Sequence, residues 1–348
     1  MAAPPTDSFT SFQTNITEAK AQNPQTNGST LSRGPSPNRG ASVPDNEAIG
    51  PESTTQKAWL SEMGIDKSKH IKLTKLSHMR YQHENLDEIT IFLRDFGLNV
   101  IKKTDTERWY GGYGPDQYVY YARQGPKKFL GGTFEVESHQ ELEKVISTFP
   151  DRLLTKGIEP LSDAPGGGHL VTITDPNNFP VNFIHGQTPS TDIMNPHTGQ
   201  LVANTETSKP RQRQFQRFTP GPAAIHKLGH FGLVTDDFPT LSSWYTQHFN
   251  IVPSDILYID LPDSQGRKEV AMFAHLDRGQ DHVDHHSIFL ATLTPDSSIP
   301  HPHVHHCSFE VHDFDTQALG HQWLAEKGYT SVWGVGRHIL GSQIFDYW

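Results

Sequence analysis

Histidines are concentrated in the C-terminal half of this sequence, and they are the side chains best suited to carry chemistry. The chain has 348 residues, of which 21 are histidine. Neutral imidazole is the most common protein ligand of transition metals, so several imidazoles on neighbouring strands indicate a bound metal ion. The alternative is that many of them lie in loops and bind nothing. The histidines concerned are His226, His230, His275, His282, His285, His286, His301, His303, His305, His306, His312 and His338.

His230 and His306 are the strongest candidates for metal ligands. Each lies within a predicted strand and is followed by alternating apolar residues, in HFGLV and HCSFEV. The two strands hold equivalent places in two repeated units, and the first strands of paired units run side by side in one curved sheet. We therefore predict that both imidazoles reach one ion from the concave face, the alternative being burial in the core.

A competing metal motif occurs on the second of these strands. His303, His305 and Glu310 form the pattern H-x-H-x-x-x-x-E, which resembles the first metal motif of cupins. The glycines that flank that motif are absent, because Ser297 and Gln317 stand in their places. The predicted helices also do not suit a jelly roll. We interpret this match as coincidental.

The elements that position these residues follow a pattern that occurs four times. Each copy has a short alternating strand, an amphipathic helix that stops at Gly or Asn, and further short strands. The first strands of the four copies are predicted at 73–81, 129–137, 226–236 and 305–313. Repetition of this kind is typical of paired supersecondary units that share a core. The sequence predicts an α+β fold of four βαβββ units, paired into two domains with curved antiparallel sheets.

The domain boundaries follow from composition. Residues 1–67 are rich in Ser, Thr, Pro, Asn, Gln and Gly, and they predict a disordered tail. We expect a structural N-terminal domain at 68–190, a linker at 191–222 and a metal-binding C-terminal domain at 223–348.

Composition also excludes several classes of partner. The net charge of -10 argues against a nucleic-acid surface, which needs clustered Lys and Arg. No apolar run approaches the roughly 18 residues that span a bilayer, so no membrane partner is expected. The single cysteine, Cys307, cannot form an intrachain disulfide, which fits a reducing, cytoplasmic location.

Four segments together resemble the type I extradiol dioxygenases of the vicinal-oxygen-chelate superfamily, which include catechol 2,3-dioxygenase. They are LGHFGLVTDD around His230, HHSIFL around His286, HHCSFEV around His306, and GVGRHILGSQIFDY from Gly334 to Tyr347. The resemblance implies cleavage of a catechol-type ring with dioxygen and ferrous iron, in aromatic catabolism, by a homo-oligomer. An isomerase or lyase of the superfamily is disfavoured, because the GRH…Y arrangement is particular to the dioxygenases.

The resemblance also implies roles for individual residues. His230 and His306 would bind Fe(II), and His286 would be the acid/base beside bound dioxygen. His338 would donate a hydrogen bond to the substrate, and Tyr347 would contact the catechol oxygen or assist ring expansion. From the residues alone, His286 could instead be a surface residue of the DHVDHH loop, and Tyr347 a core aromatic at a strand end.

Strand alternation predicts that two neighbours of these residues turn away from the ion. His285 precedes His286 and should point to the opposite side of its strand. Cys307 follows His306 and should be a packed thiol.

The sequence departs from the family at its C-terminal end. The third ligand of the family is a Glu that follows the Tyr and a D-P-x-G turn, and this sequence stops at Trp348. Glu310 lies about 13 Å along the strand from His306, too far for one ion, and Asp346 should face away from Tyr347. We expect a truncated dioxygenase; the alternative is a non-catalytic metal- or ligand-binding protein of the superfamily.

The N-terminal domain lacks a comparable pair of ligands. His78 lies on its first strand, but the matching region of the second unit offers Thr133 or Phe134. We therefore expect this domain to be structural.

Overall fold

The computed structural model describes residues 54–191, 206–207, 219–261, 266–295, 297–338 and 342–348. Most of the predicted tail and most of the predicted linker lie outside these residues. Within the described part of the chain, no helix is long and apolar enough to cross a membrane.

The elements of the first half form two units of the same kind. A short helix and a 3-10 turn at Lys67–Lys69 precede them, and the units begin at β1 and β5. In chain order the elements are α1 (Thr54–Glu62), β1 (Leu73–His83), α2 (Leu86–Phe96), β2 (Asn99–Lys103), β3 (Glu107–Gly111), β4 (Tyr120–Gln124), β5 (Lys128–Val136), α3 (His139–Thr148), β6 (Glu159–Pro160), β7 (His169–Thr174) and β8 (Pro180–His185).

These eight strands form one sheet in the order β2-β3-β4-β1-β5-β8-β7-β6. The two units meet at its centre, where β1 and β5 pair antiparallel. Within each unit the last strand returns to lie parallel to the first, so β4 pairs with β1 and β8 pairs with β5. This topology confirms the predicted pair of βαβββ units.

The second half repeats the arrangement. Its elements are β9 (Lys227–Thr235), α4 (Phe238–His248), β10 (Ile251–Asp260), β11 (Arg267–Leu276), β12 (Ile288–Thr292), β13 (His303–Glu310), α5 (Phe314–Glu326), β14 (Trp333–Arg337) and β15 (Ile344–Tyr347).

Five of these strands form a second sheet, in the order β10-β11-β12-β9-β13, and β14 pairs with β15 alone. Strand β12 lies parallel to β9, as β4 lies parallel to β1. Strand β13 lies antiparallel to β9, as β5 lies antiparallel to β1. The third unit therefore repeats the first, whereas the fourth repeats only the first strand and the helix of the second, and β13 forms the edge of its sheet within the described residues.

Helix α2 shows how local sequence defines an element and joins it to the rest of the fold. The Asn85 side chain accepts two backbone N–H groups of the first turn, and Gly97, at φ 116°, ends the helix. Leu86 and Leu93 are buried in the core. A Cβ atom at Gly97 would lie 1.8 Å from the carbonyl oxygen of Ala223, so only glycine allows this close approach.

One hydrophobic core extends through both domains. The rings of Phe134 and Phe231, one from each domain, lie 6.0 Å apart. The Asn250 side chain accepts the backbone N–H of Leu73 at 2.7 Å and donates to the carbonyl oxygen of the same residue at 3.0 Å. The C-terminal domain thus satisfies the backbone at the start of β1, and the two domains pack as one body.

The predicted tail ends earlier than expected. Residues 54–67 were assigned to it, but helix α1 occupies Thr54–Glu62. Leu60 is buried, and Gln247 of α4 donates to the carbonyl oxygen of Met63 at 3.2 Å. The prediction was wrong here because one buried leucine and a contact with the other domain order a segment whose composition is polar.

Candidate metal centre and active site

His230 and His306 meet across the last two strands of the second sheet. They lie on the adjacent strands β9 and β13, where Ser308 pairs with His230 and Gly232 pairs with His306. Their Nε2 atoms are 2.9 Å apart, and the two rings are nearly perpendicular, at 86°. The structure therefore brings the two imidazoles together as strand pairing predicted.

Gly232 makes room for the second imidazole. A Cβ atom at this position would lie 3.1 Å from the His306 ring and 2.8 Å from the Phe289 ring. Since the ring of His306 lies across β9 at this point, a side chain at position 232 would compete with it for space.

His286 lies beside this pair. Its ring centroid is 4.1 Å from that of His230 and 5.0 Å from that of Phe273. Its Nε2 atom is buried and has no hydrogen-bond partner among the described residues. Burial lowers the pKa of His286 to about 3, and the neighbouring His285 and His338 act in the same direction. The ring is therefore neutral at neutral pH.

His338 and Tyr347 close another side of the site. They come from the β14–β15 hairpin, where the backbone N–H of His338 donates to the carbonyl oxygen of Gln343 at 2.9 Å. The Tyr347 Oη atom is 3.4 Å from Nε2 of His338, and its ring lies 5.9 Å from that of His306. Burial raises the pKa of Tyr347, so its phenol stays protonated at neutral pH.

All five predicted site residues line one cavity of about 860 Å³. Aromatic side chains form much of its wall beside them, and the rings of Phe273 and Phe289 lie 4.7 Å apart. The ring of Phe345 lies 4.4 Å from that of His338. The cavity therefore combines imidazole and phenol groups with flat apolar surfaces, which suits a planar aromatic ligand.

The imidazole pair has the properties of metal ligands. Burial lowers the pKa of His230 and of His306 well below the usual value, and nearby imidazoles act in the same direction. Both rings are therefore neutral, which is the form that binds a metal. Two nitrogens bound at about 2.0–2.1 Å and at a right angle would lie about 2.9 Å apart, as these do.

The pair of imidazoles is not joined by a third candidate ligand within the described residues. No group of three or more His, Cys, Asp or Glu side chains within them is arranged to hold a metal. Glu310 is paired instead with Lys227 at 3.6 Å and with His226 at 3.5 Å. Asp346 accepts from Nδ1 of His321 at 2.9 Å, on the side of α5. Neither carboxylate belongs to the imidazole pair, as expected.

The H-x-H-x-x-x-x-E pattern does not converge on one point. Nδ1 of His303 lies 2.8 Å from the carbonyl oxygen of His301. Glu310 has the partners described above, and the sheets are those of βαβββ units rather than of a jelly roll. The interpretation as a coincidental match therefore holds.

The prediction that His285 turns away from the site was wrong. Its Nδ1 atom lies 3.1 Å from Nδ1 of His286, and its Nε2 atom lies 3.0 Å from a carboxylate oxygen of Asp255. The alternation rule fails because β12 begins only at Ile288, so both histidines belong to the preceding loop.

His305 is a neighbour that the sequence did not single out for this site. Its Nδ1 atom lies 2.7 Å from Nδ1 of His306. The pairing of β13 with β9 shifts register between Val304 and His306, and such an irregularity can direct two successive side chains toward one region. The signal in the sequence was the run of histidines itself, which does not reveal a register shift.

Cys307 packs as predicted. Its side chain lies against the hydrophobic core, in contact with Tyr81 of the N-terminal domain. Burial raises the pKa of the thiol to about 11. The residue is therefore a protonated packing group rather than a metal ligand.

Comparisons with known proteins agree with this geometry. Residues 227–346 match the family described as Glyoxalase/Bleomycin resistance protein/Dioxygenase superfamily. Metapyrocatechase 2 of Cupriavidus necator is 31% identical over 134 residues, which is 38% of this chain and 34% of that protein. The matched segment thus spans about a third of the length of that curated relative.

Solved structures of low sequence identity share the fold. Homoprotocatechuate 2,3-dioxygenase from Arthrobacter globiformis is 16% identical with a TM-score of 0.60, over 80% of this chain and 76% of that one. A Mn(II)-bound glyoxalase from Novosphingobium aromaticivorans is 16% identical with a TM-score of 0.56, over 79% of this chain and 78% of that one. The two domains have the vicinal-oxygen-chelate fold, and the chain resembles extradiol ring-cleaving dioxygenases.

Proposed function

We propose that this protein is an Fe(II)-dependent extradiol dioxygenase that opens the ring of a catechol-type aromatic with dioxygen. The observation that carries the proposal is the convergence of the His230–His306 pair with His286, His338 and Tyr347 on one aromatic-walled cavity. The similarity to metapyrocatechase supports the same chemistry.

His230 and His306 would hold the iron through their Nε2 atoms. When bound, iron would supply a point at which a catechol and dioxygen meet and exchange electron density. The neutral state of both imidazoles favours this role, since protonation would remove the lone pairs that a metal requires.

His286 would move the proton. The bare Nε2 atom of its neutral ring can accept the proton of a catechol hydroxyl and return it later in the reaction, which is general acid–base catalysis. Its ring lies 4.1 Å from that of His230, so the group stands next to the place where the reacting oxygens would be.

His338 and Tyr347 would orient the substrate. The Nε2 atom of His338 and the Oη atom of Tyr347, 3.4 Å apart, form a polar part of the cavity wall. Because the pKa of Tyr347 is raised by burial, its phenol remains a hydrogen-bond donor for a catechol oxygen. The flat walls would fix the plane of the ring and limit access of water.

Oxygen uptake by iron-loaded protein tests the proposal. Protein reconstituted with Fe(II) under nitrogen should consume dioxygen with at least one member of a catechol panel and form a coloured ring-opened semialdehyde. His230→Ala and His306→Ala should abolish uptake, whereas His282→Gln, an exposed histidine of the same domain, should leave it unchanged.

The alternative is a non-catalytic metal- or ligand-binding protein of the same superfamily. It is favoured by the lack of a three-residue ligand set within the described residues. Iron bound at one per chain without oxygen uptake across the panel would contradict the dioxygenase proposal and support this alternative.

A further inference from the structure

His286 is linked to two other residues of the cavity wall, His285 and Asp255, by a chain of two hydrogen-bonding contacts. Nδ1 of His286 is 3.1 Å from Nδ1 of His285, and Nε2 of His285 is 3.0 Å from Oδ2 of Asp255. Asp255 is 6% exposed, so its carboxylate is held mainly by protein groups. The carboxylate and the two imidazoles thus form a continuous series that ends at the ring of His286, whose Nε2 atom has no hydrogen-bond partner among the described residues.

The fold directs Asp255 to this place. The pairing of β10 with β11 shifts register between Pro253 and Asp255, which leaves Ser254 as an extra residue. A bulge of this kind re-aims neighbouring side chains. The Ser254 hydroxyl donates to the carbonyl oxygen of His285 and lies 2.7 Å from Nδ1 of His275. Both the backbone and the ring of His285 are therefore fixed from β10.

The direction of the hydrogen bonds follows from the chemistry of the groups. An ionised carboxylate can only accept, so Nε2 of His285 must carry a hydrogen. If His285 carries no second hydrogen, its Nδ1 atom is an acceptor and takes the N–H on Nδ1 of His286. A His286 ring whose one hydrogen is on Nδ1 then has an Nε2 atom that can accept, and this atom has no hydrogen-bond partner among the described residues.

We propose that Asp255 is a positioning residue that, through His285, fixes His286 in the Nδ1–H tautomer and leaves its Nε2 atom as an acceptor. The inference rests on the proposed role of His286 in moving a proton. It deepens that role, since it assigns His286 to take a proton first and to donate one afterwards. In the opposite tautomer Nε2 would carry a hydrogen and could not accept the proton of a substrate hydroxyl.

A carboxylate held at one remove from the reacting atoms can govern an imidazole in this way. In serine proteases the buried aspartate holds the catalytic histidine in one tautomer, and its replacement by asparagine leaves the geometry but reverses the hydrogen-bond direction. Here Asp255 would act on His286 through the ring of His285. The Nδ1 atom of a neutral His285 can accept a hydrogen bond only when its Nε2 atom carries the hydrogen that is donated to Asp255.

Tautomer measurement tests the proposal without reference to activity. In metal-free protein labelled with 15N-histidine, the His286 signals can be assigned as those that disappear in His286→Gln. We expect the hydrogen on Nδ1 in the wild type. In Asp255→Asn, whose amide can donate to His285, we expect a shift to the Nε2–H form or to a mixture. Asp255→Glu should retain the wild-type pattern.

A second pair of variants guards against misfolding of the first. The amide of His285→Gln can donate to Asp255 and accept from His286, so the Nδ1–H tautomer should persist. His285→Leu can do neither and should release it. The matched control is Asp260→Asn, an exposed carboxylate at the end of the same strand that pairs with Arg267. An Nδ1–H tautomer that survives unchanged in both Asp255→Asn and His285→Leu would overturn the proposal.

Kinetics supply the second readout. For iron-loaded protein, Asp255→Asn should lower kcat by about 10- to 100-fold with KM and iron content unchanged, since outer groups that orient a reacting imidazole have effects of that size. Asp255→Glu should recover part of the loss. If wild-type protein consumes no dioxygen, the proposed function fails, while the tautomer measurement still decides the role of Asp255.

Discussion

The two domains contain an equivalent pair of antiparallel strands, β1 with β5 and β9 with β13. Two imidazoles meet across the second pair and not across the first. In the N-terminal domain, His78 on β1 pairs with Thr133 on β5. In the C-terminal domain, His230 on β9 pairs with Ser308 on β13. His78 and His230 thus hold equivalent places in the two strand pairs. His78, however, is completely buried, and its Nδ1 atom contacts the Ser77 hydroxyl at 3.0 Å.

The difference lies two residue pairs further along the ladder, on the same face of the sheet. There the N-terminal domain places Arg80 opposite Gly131, and the C-terminal domain places Gly232 opposite His306. The large and small residues have exchanged strands. The Arg80 guanidinium stacks 4.5 Å from the centroid of the Tyr121 ring, so the large side chain of this pair belongs to β1 and packs on β4.

The exchange shows that two imidazoles can meet across paired strands only where a residue without a side chain stands opposite one of them. We call the space that Gly232 leaves beside the His306 ring the vacancy. Sequence comparison had placed Thr133 or Phe134 at the position of His306, but the strand register assigns Gly131 to it. Gly131 has φ 101°, and a Cβ atom there would lie 2.2 Å from the carbonyl oxygen of Pro180. The N-terminal domain therefore cannot carry a histidine at that place, which supports a structural role.

The largest effect should come from removing one imidazole of the C-terminal pair, with the buried His78 of the N-terminal domain as the control. His306→Ala should weaken Fe(II) binding by more than about 100-fold, since even outer groups of metal sites are worth 10- to 100-fold. His78→Gln should leave binding unchanged. Iron retained per chain after anaerobic gel filtration measures both. Equal losses in the two variants would show that the domains do not differ as described.

A smaller effect should follow from filling the vacancy. Gly232→Ala would bring a methyl group against the His306 and Phe289 rings, so we expect about a tenfold loss of iron affinity and a cost of about 1–3 kcal/mol in unfolding free energy. Gly334→Ala is the control, because its added Cβ atom would meet only His321, at 3.7 Å. Unchanged iron affinity in Gly232→Ala would show that the space at Gly232 is not needed for the His306 ring to bind iron.

The smallest effect concerns a contact between the domains. Asp175 follows β7 and accepts a hydrogen bond from the Tyr245 hydroxyl of α4 at 3.3 Å. Burial raises the pKa of Asp175 from 3.8 to about 7, although hydrogen bonds from Phe179 and Asn177 oppose the rise. A carboxyl whose folded pKa is raised contributes stability that is fully present below its unfolded pKa and is lost as pH rises through about 7.

Asp175→Asn removes this pH dependence, because an amide stays neutral. At pH 8 the variant should unfold at a higher temperature than the wild type, with a gain of about 1 kcal/mol, and near pH 4 the gain should vanish. Thermal unfolding at both pH values checks this, with the exposed Asp281→Asn as the control. A gain that is the same at both pH values would mean that the charge of Asp175 is not its source.

Much of the fold and the candidate site could be predicted from sequence because the signals were local. Alternating apolar residues around His230 and His306 defined their strands, and repetition of the unit placed those strands side by side. The positions of His286, His338 and Tyr347 in the same cavity followed from the resemblance and agree with the structure.

The remaining features depend on geometry that no local pattern encodes. Asp255 reaches His285 only because the ladder shifts register at Ser254, and a sequence does not reveal which residue of a strand is the extra one. His285 faces the site because it lies in a loop rather than in β12. Helix α1 is ordered by the burial of Leu60, and Gln247 donates a hydrogen bond to Met63 just after the helix, which composition cannot show.

The environment of Cys307 bears on how the protein would withstand its own chemistry. Thiolates, not thiols, react with peroxides and are oxidised to sulfenic and higher sulfur acids. With its pKa raised to about 11 by burial, the one cysteine of the chain stays protonated although it is bonded to His306 along the backbone. If dioxygen reacts with a catechol at a metal ion held by the neighbouring imidazoles, the cysteine beside them is held in its less oxidisable form.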